Sequence, residues 1–140
     1  MASNLFISNA LAKAQADASN VDTTGMGAMV VTVYSNSTTQ PANANTALDG
    51  AAVTLFSFTT PIASGNSVSA AGVITFGAIS AITPSANGTA SYFRAKASNG
   101  TTVLFDGNVG TSGSDMNLST TTISTAVTVT ISSFTYTVTQ

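Results

Sequence analysis

"GTASYFRAKASNGTTVLFD", residues 88–106, reads as a strand, a turn and a second strand, and the rest of the fold is built outward from it. Ser91, Phe93 and Ala95 alternate with Tyr92, Arg94 and Lys96, the two-residue period of an extended chain with one face toward a core. The spacing predicts Ser91, Phe93 and Ala95 inward and Tyr92, Arg94 and Lys96 outward. Asn99-Gly100 predicts a hairpin turn, because these residue types tolerate the positive backbone angles of tight turns. Val103 and Phe105 then close the return strand.

Downstream, "DGNVGTSGSDMNL" crowds Gly107, Gly110 and Gly113 with Asp106, Asn108, Asp115 and Asn117. A dinucleotide fingerprint needs GxGxxG and a phosphate loop needs a terminal Lys-Ser/Thr, and neither is present. A calcium loop needs six to eight oxygens, several of them anionic, and only two carboxylates lie here without EF-hand spacing. The remaining reading is structural. Asp106-Gly107 begins a turn, Gly110 and Gly113 let the chain reverse or cross an edge, and Asp115 leads into the next element.

On the amino-terminal side, "MVVTVYS" (residues 29–35) alternates as a strand that ends beside Tyr34. A long polar loop follows over residues 36–50, in which Pro41 excludes a central strand and Asp49-Gly50 marks the end. A loop of that length in a small domain points to a binding surface or to an arm ordered against a partner. "AAVTLFSFTTP" (51–61) and "AGVITFGAISAI" (71–82) supply two more strands, the second running through Val73 to Ile79 with glycines that point to a bend or a close backbone approach. At the carboxyl end Val127, Val129 and Ile131 alternate, then Phe134, Tyr136 and Val138. Ser132-Ser133 marks either a bulge or a tight turn between them.

Residues 3–20 carry the one helical pattern, with Ser3 or Asn4 as cap and Leu5 or Ile7, Leu11, Ala14 and Ala18 on one face. The alternative there is an extended arm anchored by Phe6 and Ile7. The expectation is an all-β, jelly-roll-like β-sandwich domain over residues 29–140, preceded by a short N-terminal helix or arm over residues 1–28.

Composition narrows the function. Three basic and five acidic residues, with no His, no Glu and no Cys, leave 6% of the chain charged, about a quarter of the ordinary fraction. Three cations cannot line a phosphate backbone, so direct nucleic-acid binding is not expected. Without Cys there is no disulfide, thiolate metal site or cysteine nucleophile. Without His or Glu, the many Ser and Thr hydroxyls have no recognisable activating base, so neither an enzyme nor a cofactor is expected. No apolar run approaches the roughly 20 residues of a membrane helix. No signal-peptide pattern opens the sequence; if the protein ends up outside a cell, another route is expected, for example release with a particle by lysis. Thr, Ser, Asn, Ala and Gly form the polar surface instead, and such side chains are buried against neighbours at lower cost than charges. Phe56, Phe58, Phe76, Phe93, Phe105 and Phe134 are assigned to the core, and Tyr34 and Tyr136 to its rim. Tyr92 beside Arg94 and Lys96 marks an outward face suited to a partner carboxylate.

The segment 87–138 also carries a resemblance. Tyr92-Phe93-Arg94, followed by Val103, Asp106-Gly107, Val109-Gly110-Thr111-Ser112-Gly113-Ser114-Asp115 and Asn117-Leu118, resembles a pattern of the capsid cement (decoration) proteins of tailed bacteriophages, the Bordetella phage type above all. The first half of the chain matches only loosely. The resemblance implies a homodimeric jelly roll on the outer surface of the virion, bridging major capsid protein subunits, with no reaction and no cofactor. Phe6, Ile7, Tyr34, Pro41, Tyr92, Arg94 and Lys96 are the expected contacts. Asn99, Gly100, Asp106, Gly107, Gly110, Gly113 and Asp115 are the expected turn residues. A tail or fibre protein that meets a host receptor is the competing reading within the same particle. A secreted carbohydrate-binding module is a third, weakened by the absence of Trp.

Overall fold

A computed structural model describes Ser8, Ala10, Leu11, Gln15, Ala16 and residues 28–61 and 66–138. Among these residues nine strands form one continuous curled sheet, a half-barrel. They are β1 (Val30–Ser35), β2 (Thr54–Thr59), β3 (Ser67–Val68), β4 (Val73–Thr75), β5 (Gly88–Lys96), β6 (Val103–Gly110), β7 (Met116–Leu118), β8 (Thr122–Ile123) and β9 (Ile131–Thr137). The hydrogen-bonded order is β2-β1-β5-β6-β7-β9-β4-β3, with β8 on the end of β5. All pairs are antiparallel except β6 with β7.

The hairpin β5–β6 sits at the middle of the sheet, where the sequence places it. Its turn is closed by Ala97 N–H to Thr102 C=O at 2.8 Å and Gly100 N–H to Ala97 C=O at 2.8 Å. Only Gly100 takes a positive φ, at 70°. Asn99 works through its side chain, whose Oδ1 accepts from the N–H groups of Thr101 and Thr102 at 2.9 and 3.0 Å. Register then shifts between Ala95 and Lys96, because Leu104 is an extra residue on β6. Had the strands continued in the register of the turn, Arg94 would face Phe105 and Asp106 would face Phe93. The bulge restores sense to both faces: Phe93 lies opposite Gly107 and Arg94 opposite Asp106.

Inside the curl, Phe134 of β9 is the centre of an aromatic cluster. Its ring stacks on Phe76 at 4.5 Å and meets Phe93 edge-on at 5.2 Å and Phe58 at 6.2 Å. These contacts join the β4–β9 wing to the β1–β2–β5 wing, so one side chain pins the two halves of the sheet together. Val31, Val33, Phe56, Ala95, Met116 and Val129 fill the surrounding core. Phe134 reaches it because of an irregularity: Leu118 pairs with Ile131 and Asn117 with Ser133, leaving Ser132 unpaired. The serine pair is therefore a bulge within one strand, the first of the two readings of that segment.

Two boundaries differ from the sequence reading. β4 stops at Thr75, and residues 77–81 join no strand, although Phe76 N–H still bonds Phe134 C=O at 3.0 Å. β6 runs straight through Asp106-Gly107 to Gly110, so those two residues belong to a central strand and not to a turn. The hydrogen bonds available across β5 outweigh the turn preference of an Asp-Gly pair. At the amino end, Ala10, Leu11, Gln15 and Ala16 have helical backbone. Leu11 N–H bonds Ser8 Oγ at 3.3 Å, and Ala16 is buried in the core. Ser3, Asn4, Phe6 and Ile7 lie outside the described residues.

Candidate functional site

The expected contact face is the outer side of β1, β5 and β6, and strand register assembles it row by row. Thr32 lies between Ser57 and Arg94, and Arg94 lies opposite Asp106. Tyr34 pairs with Tyr92, their rings stacked 5.2 Å apart at 17°. Alternation places Thr32 with Tyr34, and Tyr92 with Arg94, on one face of their strands; Asp106, read from the sequence as the start of a turn, joins them through the register of β6.

Its exposure is another matter. Loop 36–50 folds back over the face and covers it. Thr38 Oγ1 and the Tyr92 hydroxyl share a hydrogen bond of 2.8 Å, and Arg94 Nη2 donates to Thr46 C=O at 2.8 Å. Tyr92 is 1% exposed, Arg94 4% and Tyr34 6%. The outward, partner-facing placement of Tyr34, Tyr92 and Arg94 is thereby corrected. Alternation tells which face a side chain lies on; it does not tell what later covers that face. Lys96 remains partly exposed, and Pro41 is half-buried within the covering loop.

A guanidinium is tolerated here because its partner is built into the same sheet. Arg94 Nε donates to Asp106 Oδ1 and Nη2 to Asp106 Oδ2, both at 2.7 Å, a bidentate pair with both side chains under 5% exposed. The hydrogen bonds to Asp106 hold the arginine pKa above its already high ordinary value, against the opposing effect of burial. Burial also raises the Tyr34 phenol above its ordinary value, with Arg94 acting in the other direction. The carboxylate that Arg94 was expected to find on a partner is supplied from within.

The second candidate region is the turn between β6 and β7. Val109 pairs with Met116 and Gly110 with Asn117 in parallel, joined by residues 111–115 alone. Parallel strands ordinarily need a connection of about a dozen residues, so this return is compressed, and the glycines and amides explain how. Asn108 N–H donates to Asp115 Oδ2 at 3.1 Å, while Asp115 N–H donates to Asn108 Oδ1 at 2.8 Å. Asn117 Oδ1 accepts from Ser114 N–H at 3.1 Å, and its Nδ2 donates to Ser114 C=O and Ser133 Oγ at 3.2 and 2.7 Å. Gly113 supplies a φ of 67°. Gly110 makes room for the Ser114 side chain, which a Cβ would strike. The oxygen donors considered for calcium are thus engaged locally, and Asp106 is turned to the opposite face toward Arg94. Among the described residues no group of three acidic, His or Cys side chains gathers in one place.

Gly107 has a different role. A Cβ on it would collide with the ring of Phe93, which lies across the backbone of β6. Gly107→Ala is expected to cost about 1–3 kcal/mol, the range for overpacking a filled core, read as a lower urea midpoint with unchanged slope. No loss would show that the ring has room to withdraw.

Between β6 and the end of β9 is a cleft of about 190 Å³ lined by Phe93, Phe105, Tyr136, Asp106 and Asp115. Phe105 and Tyr136 close one end with rings 4.8 Å apart. Tyr136 is half-buried, at the rim where the sequence puts it. No helix of the described residues is long and apolar enough to cross a membrane. No protein-family model, curated protein or solved structure shows a significant match to this chain.

Proposed function

We propose that this chain is a non-enzymatic virion structural protein, a capsid cement subunit on the outer face of an icosahedral shell of major capsid protein. The observation that carries the reading is how little charge its surface presents. Arg94 and Asp106 neutralise each other inside the fold. Among the described residues only Asp49, Lys96 and Asp115 then remain as charged side chains. A freely diffusing domain ordinarily keeps far more. A surface of hydroxyls, amides and methyl groups suits permanent contact with neighbours, since burying it removes few solvated charges. Repetition over a symmetric shell multiplies each small contact energy.

In this reading the β4–β9 wing and the β1–β2–β5 wing serve as the two layers of a jelly-roll-like sandwich, and the chain pairs as a homodimer across subunit boundaries. Covering loop 36–50 and Lys96 replace Tyr92 and Arg94 as the contact surface on that side. Cryo-electron microscopy of the intact particle is the test. Density for this fold over the outer shell is expected. Density confined to the tail would select the fibre reading, and absence from the particle would overturn both.

A further inference from the structure

The tripeptide Asn-Gly-Thr occurs twice in the chain, at residues 87–89 and 99–101. An asparagine followed by glycine is open to attack on its side-chain amide by the next backbone nitrogen, because no Cβ stands in the way. The two tripeptides are chemically identical, and both asparagines are exposed. Any difference in their reactivity therefore belongs to the fold.

Around Asn87 the fold opposes ring closure. Its Oδ1 accepts from Thr125 N–H at 2.8 Å, a partner 38 residues away that holds the carboxamide toward another segment. Gly88 pairs with Ile123 of β8 and lies so close to Leu55 and Ser35 that a Cβ would crowd both. The backbone rotation that cyclisation requires would break these contacts.

Asn99 is already folded for the reaction. Its Oδ1 accepts from Thr101 and Thr102 N–H at 2.9 and 3.0 Å, and the ring closed through Thr101 brings the carboxamide carbon round toward the Gly100 nitrogen. The same two N–H groups face the oxygen on which negative charge develops in the tetrahedral intermediate. Nδ2, the departing nitrogen, lies 2.9 Å from Thr102 Oγ1, a hydroxyl placed to relay a proton to it. Gly100 sits at a φ of 70° with open space where a Cβ would point. Its N–H bond to Ala97 C=O at 2.8 Å must open first, and exposed turns open readily. The two Asp-Gly pairs are poorer candidates: Asp106 is held by Arg94 within β6, and Asp49 carries a carboxylate, which resists nucleophilic attack.

We infer that the β5–β6 turn is a self-modification site, at which Asn99 deamidates spontaneously while Asn87 is protected. The Gly100 nitrogen bonds to Asn99 Cγ and gives its proton to solvent, the Cγ–Nδ2 bond breaks, and ammonia leaves with a proton relayed from solvent through Thr102. Water then opens the cyclic imide at either carbonyl, leaving aspartate or isoaspartate at position 99. Either product adds a negative charge to a chain of formal net charge −2. Isoaspartate also lengthens the main chain inside the turn that Ala97 and Thr102 close. The inference is independent of the virion reading, since it concerns the chain's own chemistry and not where the chain resides.

The test is to hold the full chain in mildly alkaline buffer, once folded and once unfolded in urea, and to follow both asparagines by peptide mass spectrometry with fragmentation that separates aspartate from isoaspartate. In the folded chain Asn99 should convert at least about tenfold faster than Asn87, and in urea the two should convert at matching rates. Equal rates in the folded chain would overturn the inference, as would a faster Asn87 or an Asn99 that reacts only when unfolded. An equal lead for Asn99 in urea would overturn it too, by assigning the difference to sequence neighbours and not to the turn.

Discussion

Arg94→Ala should lower the unfolding free energy by about 3–5 kcal/mol, the cost of stranding one member of a buried ion pair. In the variant the Asp106 carboxylate, 3% exposed, keeps its desolvation and loses both charge-assisted bonds. Thr46 C=O loses its donor as well, so loop 36–50 should become the first site of proteolytic cleavage. Urea unfolding gives the first number and limited proteolysis the second. The paired change Arg94→Met with Asp106→Leu should recover most of the loss, because replacing both partners leaves no orphaned charge. A loss under about 1 kcal/mol for the single change would be the signature of an exposed pair, and would contradict the closed loop.

Phe134→Ala is expected to cost as much, about 3–5 kcal/mol, for an unrelated reason. This ring touches Phe58, Phe76 and Phe93, which come from both wings of the sheet. Its removal opens a cavity at the line where the wings meet, and no neighbouring strand can slide in without breaking ladder bonds. Phe134→Leu should lose distinctly less, since much of the volume remains. Calorimetry on both variants would separate them. If Ala and Leu behave alike, the aromatic contacts and the filled volume are not what hold the wings together.

Part of this architecture was legible in the residues. The alternation over 88–96, the Asn99-Gly100 turn and the inward phenylalanines are local patterns, and local patterns survive without knowledge of the fold. The Arg94–Asp106 pair was within reach, because a hairpin brings the two strands together. Counting back evenly from the turn, however, sets Arg94 against Phe105, and only the extra Leu104 corrects it. A bulge of one residue leaves no mark in composition. Asp106-Gly107 misled for a related reason: its turn preference is real in isolation, while the requirement for a glycine beneath the Phe93 ring arises from tertiary contact. Loop 36–50 is too long and polar to pass for a plain connection, yet nothing local to it tells that it lies over its own sheet. That fact rests on Thr38 with Tyr92 and Thr46 with Arg94, contacts 54 and 48 residues apart in the chain.

Those separations impose an order of events during synthesis. Thr46 leaves the ribosome 48 residues ahead of Arg94, and the carboxylate that fixes Arg94 follows 12 residues later still. The cover therefore has nothing to fasten to until the β5–β6 hairpin exists, and it must wait in water while nascent β1 and β2 stand half-complete. Its own sequence suits that delay: over 36–50 it offers Ser, Thr, Asn, Gln and Ala with a single Leu and no aromatic residue. A stickier cover would seek other chains during the interval. The same polarity that makes the loop look like an idle linker gives other chains little to adhere to before its anchor arrives.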